Sequence, residues 1–93
     1  DTLLVVNLDG TYAGEMLRLR GALRNVGSWS GHAAPLRVRV TRPDGVILNE
    51  TIIRPDDRII AANQQSPFFV QLDIDSGAKA EVSVIPISRP IFD

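Results

Sequence analysis

His32 is the only histidine of this chain of 93 residues, and it follows a glycine- and serine-rich stretch, Gly27-Ser28-Trp29-Ser30-Gly31. A nucleophile elbow has the form Gly-x-Ser-x-Gly, with the serine at the tip of a strand-to-helix turn. Here the central residue is Trp29, and no helical pattern follows, so acyl transfer at this point is not expected. A zinc or other transition-metal site needs several nitrogen or sulfur ligands. With no cysteine and no second histidine, His32 reads as a loop residue, and disulfides are excluded.

The carboxylates give little more. Asp56 and Asp57 are neighbours, as an acid/base pair would be, but Arg54 and Arg58 flank them and the stretch reads as a solvated turn. Asp73 and Asp75 lack the spaced oxygens and closing glutamate of a calcium loop. Asn49-Glu50-Thr51 matches the three-residue glycosylation acceptor, a pattern short enough to arise by chance. No glycine-rich phosphate cradle follows a strand. The expectation is a non-enzyme with no cofactor and no metal. The residues left for function are Ser28, Trp29, Ser30 and His32, as a partner-binding loop.

Five of the nine arginines lie in Leu17–Asn25 and Leu36–Val40. Ten basic and eleven acidic residues leave a formal charge of −1, whereas a domain that grips nucleic acid by its phosphates shows a basic excess. Nucleic acid is therefore not an expected partner. Apolar content of 44% is that of a globular chain rather than a disordered one. No run approaches the length of a membrane span and no signal peptide opens the chain. The abrupt start at Asp1-Thr2 reads as a single domain, residues 1–93, cut from a longer protein.

The elements that must carry these residues show a period of two. Leu17, Leu19, Gly21 and Leu23 alternate with Arg18, Arg20, Ala22 and Arg24; Leu36, Val38 and Val40 alternate with Arg37, Arg39 and Thr41. Alternation puts successive side chains on opposite faces of a strand. Phe68, Val70, Leu72 and Ile74 repeat the pattern, as do Ala80, Val82, Val84 and Pro86. Shorter strands are expected over residues 3–8, 46–53 and 58–62. Turn formers separate them at Asp9-Gly10, Gly27–Gly31, Pro43-Asp44-Gly45, Pro55–Asp57, Gln64–Pro67 and Ser76-Gly77. About seven short strands and no helical period predict an all-β, immunoglobulin-like antiparallel β-sandwich, with a small Greek-key barrel as the other architecture. The connection between the two arginine strands is too long for a hairpin, so the second strand is expected in the other sheet. The arginines then form two stripes on opposite outer faces, and the inter-sheet core is Leu17, Leu19, Leu23, Leu36, Val38, Val40, Val70, Leu72, Val82 and Val84.

The stretches "LRLRGALRNVG" at 17–27, "AAPLRVRVTRPDGVIL" at 34–48 and "SPFFVQLD" at 66–73 carry a resemblance. Together, over residues 15–87, they resemble a family of bacterial domains of unknown function found C-terminal to a zinc-ribbon finger and one membrane span. The resemblance implies a sandwich in an extracytoplasmic or periplasmic position, anchored to the membrane by a segment outside this chain. It carries no catalytic residues, and it gives no account of the C-terminal "SRPIFD".

The function expected from both lines is a non-catalytic protein-interaction or scaffold module of a bacterial envelope protein; a carbohydrate-binding sandwich is the alternative. Loops at sandwich ends carry binding because rigid sheets position them. Trp29 is then either a plug that closes the open end of the sandwich, the blander and first expectation, or an exposed anchor for a partner.

Overall fold

The computed structural model describes residues 2–74 and 80–87. Among these the chain is all-β: β1 (Leu3–Ala13), β2 (Met16–Asn25), β3 (Gly31–His32), β4 (Leu36–Thr41), β5 (Ile47–Ile53), β6 (Ile59–Ile60), β7 (Gln65–Asp73) and β8 (Glu81–Pro86). Two three-stranded antiparallel sheets, in the order β1-β2-β7 and β5-β4-β8, pack face to face, and β3 pairs with β6 in a small two-stranded sheet.

The expected register holds. Leu17, Leu19 and Leu23 of β2, Leu36, Val38 and Val40 of β4, and Val70 and Leu72 of β7 are buried, while Val82 and Val84 of β8 pack against them half-buried. A slip of one residue would have turned the arginines inward, so burial of one face fixes the pairing. Because β2 and β4 lie in different sheets, Arg18, Arg20 and Arg24 stand on one outer face and Arg37 and Arg39 on the opposite one.

Three expectations need correction. Asp9-Gly10 does not end the first strand: β1 runs on to Ala13 and the real turn is Gly14-Glu15, where Gly14 takes φ 65°. The reason is a bulge. Val6 opposes Ala22 and Asp9 opposes Arg20, so Asn7 and Leu8 together face Gly21, with Asn7 at φ 55°. An extra residue shifts the alternation by one and lets the strand continue. Gln64–Pro67 is likewise not all turn, since β7 starts at Gln65. The expected strand at 58–62 shrinks to Ile59–Ile60, which pairs with Gly31–His32, a strand that the alternation did not reveal. Asp75, the Ser76-Gly77 turn and "SRPIFD" lie outside the described residues.

The side where β5 meets β7 is stapled. Asn49 Nδ2 donates to the Asp73 carbonyl at 2.6 Å, and Asn49 Oδ1 accepts from the Glu50 N–H at 2.8 Å. The amide of the glycosylation-like triplet is thus occupied in holding the two sheets together.

Candidate functional site: the loop between β2 and β3

The loop is built on Asn25, the last residue of β2. Asn25 is only 1% exposed, and every polar group that it carries is used. Its Nδ2 donates to the Trp29 carbonyl at 2.7 Å and to the Ile60 carbonyl at 2.9 Å, and its Oδ1 accepts from the Gly27 N–H at 2.9 Å. Its backbone N–H donates to the Gln64 carbonyl, and its own carbonyl accepts from Asn63 N–H. A buried amide is tolerated only when it is satisfied in this way. One side chain therefore ties the end of β2, the loop and β6 together.

That arrangement decides between the two readings of Trp29. The indole is 84% exposed; it does not plug the sandwich. Leu23, Leu36, Ile60 and Phe68 form a buried cluster of which the indole is no part. Exposure of a large apolar side chain is costly unless something covers it, and here the backbone beneath is held rather than free. Ser28 and Ser30 on either side are exposed as well.

His32 is exposed on β3 opposite Ile59, itself 59% exposed. It also borders a groove of about 890 Å³ with Pro35, Arg54, Asp57, Arg58 and Ile87, which Trp29 does not line. The four expected residues are thus neighbours in sequence, but the structure splits them between an outward-pointing loop and a groove wall.

Asp56 and Asp57 do not converge. Asp57 lines the His32 groove, and Asp56 lines a different depression with Asp9, Arg20 and Phe69. Their backbones are fixed by β7, Asp56 N–H donating to the Pro67 carbonyl and Asp57 N–H to Ser66 Oγ. Among the described residues no group of three or more histidine, aspartate or glutamate side chains could hold a metal ion. Among the described residues Asp44 is the one carboxyl whose titration is clearly displaced. The Val46 N–H that it accepts, helped by the Arg42 guanidinium, holds it below the usual carboxylate range.

Sequence reasoning missed Asn25 as the organiser of the loop. The signal was present as the asparagine that ends "GALRN" immediately before a glycine- and serine-rich stretch, since asparagine readily bonds backbone two residues on. Fold and loop together define a small β-sandwich that displays a tryptophan from a braced loop. No protein-family model matches the chain, and no curated protein or solved structure matches it.

Proposed function

We propose that the domain is a non-catalytic interaction module that uses Trp29, with the exposed Ser28 and Ser30 on either side of it, to engage a protein partner. The observation that carries this reading is an indole 84% exposed above a carbonyl held at 2.7 Å by a buried asparagine. Tryptophan anchors dominate interface energetics, and a braced backbone lowers the ordering cost of binding. A photo-crosslinking residue at Ser28 tests it. A discrete protein adduct from the native host, absent with Trp29→Ala and absent with the probe at Arg18, is the expected result. No adduct that depends on Trp29 overturns the reading.

The order β1-β2-β7 against β5-β4-β8 supports assigning the sandwich to the immunoglobulin-like type. With the two-residue strands β3 and β6 set aside, the first, second and fifth strands share a sheet opposite the third, as in that type. The fourth, β5, pairs with the third instead of joining the first sheet. The envelope setting and membrane anchor rest on the family resemblance alone, and fractionation of host cells into cytoplasmic, membrane and extracytoplasmic fractions tests them directly. Nucleic acid is left out of this reading because the arginine stripes are on opposite faces. Several of these arginines are also engaged, Arg20 near Asp9, Arg24 with Gln65 and Arg39 with Glu50. A tight, steeply salt-dependent complex with a random duplex would reverse that.

One observation favours the carbohydrate alternative. Phe69 is 56% exposed on the flat outer face of β1-β2-β7, with Arg18, Arg20 and Gln71 around it. An aromatic face ringed by hydrogen-bonding groups suits a sugar ring. Calorimetric titration with oligosaccharides, and its loss in Phe69→Ala, would carry that reading.

A further inference from the structure

The groove of about 890 Å³ beside His32 takes no part in the Trp29 reading, because Trp29 does not line it. Four separate stretches build it: Leu3 in β1, residues 32–35, the loop between β5 and β6, and Ile87 after β8. Backbone bonds fix these stretches to one another and to β7. Ala33 N–H donates to the Arg58 carbonyl at 2.7 Å, Ile87 N–H to the Pro35 carbonyl at 2.8 Å, and Asp57 N–H to the buried Ser66 Oγ at 2.8 Å. Pro35 and the buried Pro55 restrict the backbone further. The groove is therefore preformed, and its volume is that of a small-molecule site.

The charges along it are unmatched. Elsewhere Arg20, Arg39 and Arg42 each lie near a carboxylate. Arg54 and Arg58, which line the groove, are exposed and have no ion-pair partner among the described residues. Asp56 and Asp57 lie between them in sequence, but Asp56 lines the other depression and only Asp57 reaches this one. Two arginines against one aspartate leave a single net positive charge. The exposed His32 adds a ring N–H donor, while Leu3, Ala33, Pro35 and Ile87 make the rest of the wall apolar.

We propose that this groove binds a small organic acid, a single carboxylate carried on an apolar body. The guanidinium forks of Arg54 and Arg58 take the carboxylate, since their planar donor pairs match its two oxygens. The apolar body lies along Leu3, Ala33, Pro35 and Ile87, and by covering the head it excludes water and strengthens the charge pairing. Asp57 repels a carboxylate from its own side of the groove, which fixes the end at which the head sits. The single net positive charge also suits a monoanion better than a phosphate ester, which carries nearly two negative charges at neutral pH. The arginines remain exposed, so the expected affinity is modest. The proposal is independent of the Trp29 reading.

Titration of the nitrogen-15-labelled domain with octanoate, followed by amide chemical shifts, tests it. The expected result is saturable movement of the His32, Ala33, Arg58 and Ile87 amides at millimolar ligand. Octan-1-ol, with the same body and no charge, and inorganic phosphate, with charge and no body, should each bind at least about tenfold more weakly, as loss of a charge-assisted bond or of apolar burial implies. Arg54→Gln and Arg58→Gln, both at exposed positions, should each weaken octanoate about tenfold while the remaining amide spectrum stays that of the folded domain. Trp29→Ala should leave octanoate binding unchanged, which separates this site from the partner loop. Absence of saturable shifts in the wild type overturns the proposal. So does octanol or phosphate binding as tightly as octanoate, or octanoate affinity that survives both arginine substitutions.

Discussion

Gly21 and Phe68 oppose each other across β2 and β7, and the phenylalanine ring occupies the space that a Cβ on Gly21 would need. The ring Cζ stands 2.8 Å from that position, and the Val6 carbonyl oxygen 3.2 Å from it. The glycine is therefore a packing requirement: it admits Phe68, which is 3% exposed, into the core and faces the bulge of β1.

Gly21→Ala should destabilise the domain by about 1–3 kcal/mol, the usual cost of overpacking a filled core. Urea denaturation measures it. Combining the change with Phe68→Leu should recover part of the loss, because the smaller side chain frees the space. A fully additive double variant would show that the ring is not the obstacle.

Asn25→Ala should cost at least about 2 kcal/mol, because it strands the Trp29 and Ile60 carbonyls and the Gly27 N–H around a buried site. Asn25→Asp keeps the acceptor but replaces the Nδ2 donor with a charge against two carbonyls, and should be no better. Hydrogen exchange should show faster opening of residues 27–31 and 59–60 in both variants. An unchanged denaturation midpoint would remove Asn25 from its organising role.

Trp29→Ala should change stability by no more than about 0.5 kcal/mol, as expected at an exposed position away from structural features. The wild-type emission should be that of a solvated indole, readily quenched by acrylamide. A blue-shifted, protected spectrum would return Trp29 to the role of a plug.

Asp44 gives a pH dependence with a definite sign. Its folded-state pKa is held below the ordinary value by the Val46 N–H and by Arg42. The ionised carboxylate therefore favours the folded state above the unfolded-state pKa, and that contribution is lost as pH falls through the lowered value. Acid titration of stability should show this loss in the wild type, and Asp44→Asn should reduce the slope in that window. The site is the turn between β4 and β5, where Arg42 N–H donates to the Val46 carbonyl and Gly45 takes φ 93°. An equal slope in both proteins would show that the turn does not couple to folding.

The alternation of leucine and valine with arginine was enough to establish the register of β2 and β4, the buried face of each, and the separation of the arginines into two stripes. It could do so because side-chain direction in a strand is a local property with a period of two, and burial of one face penalises any slip. The length of the connection after Asn25 likewise implied that the chain crosses to the second sheet. Other features depend on groups far apart in sequence, and only the tertiary structure decided them. The bulge at Asn7-Leu8 exists opposite Gly21, and it carries β1 past Asp9-Gly10 to Ala13. The two-residue strands β3 and β6 are too short to show a period, and they exist because each supplies the other's hydrogen bonds. The exposure of Trp29 is seen only in the folded loop, where Asn25 holds its carbonyl and the indole stands 84% exposed. Ile52 and Ile85 flank Arg37 only once β5 and β8 are laid on either side of β4. In each case the deciding energy is a contact between distant segments, which no local pattern encodes.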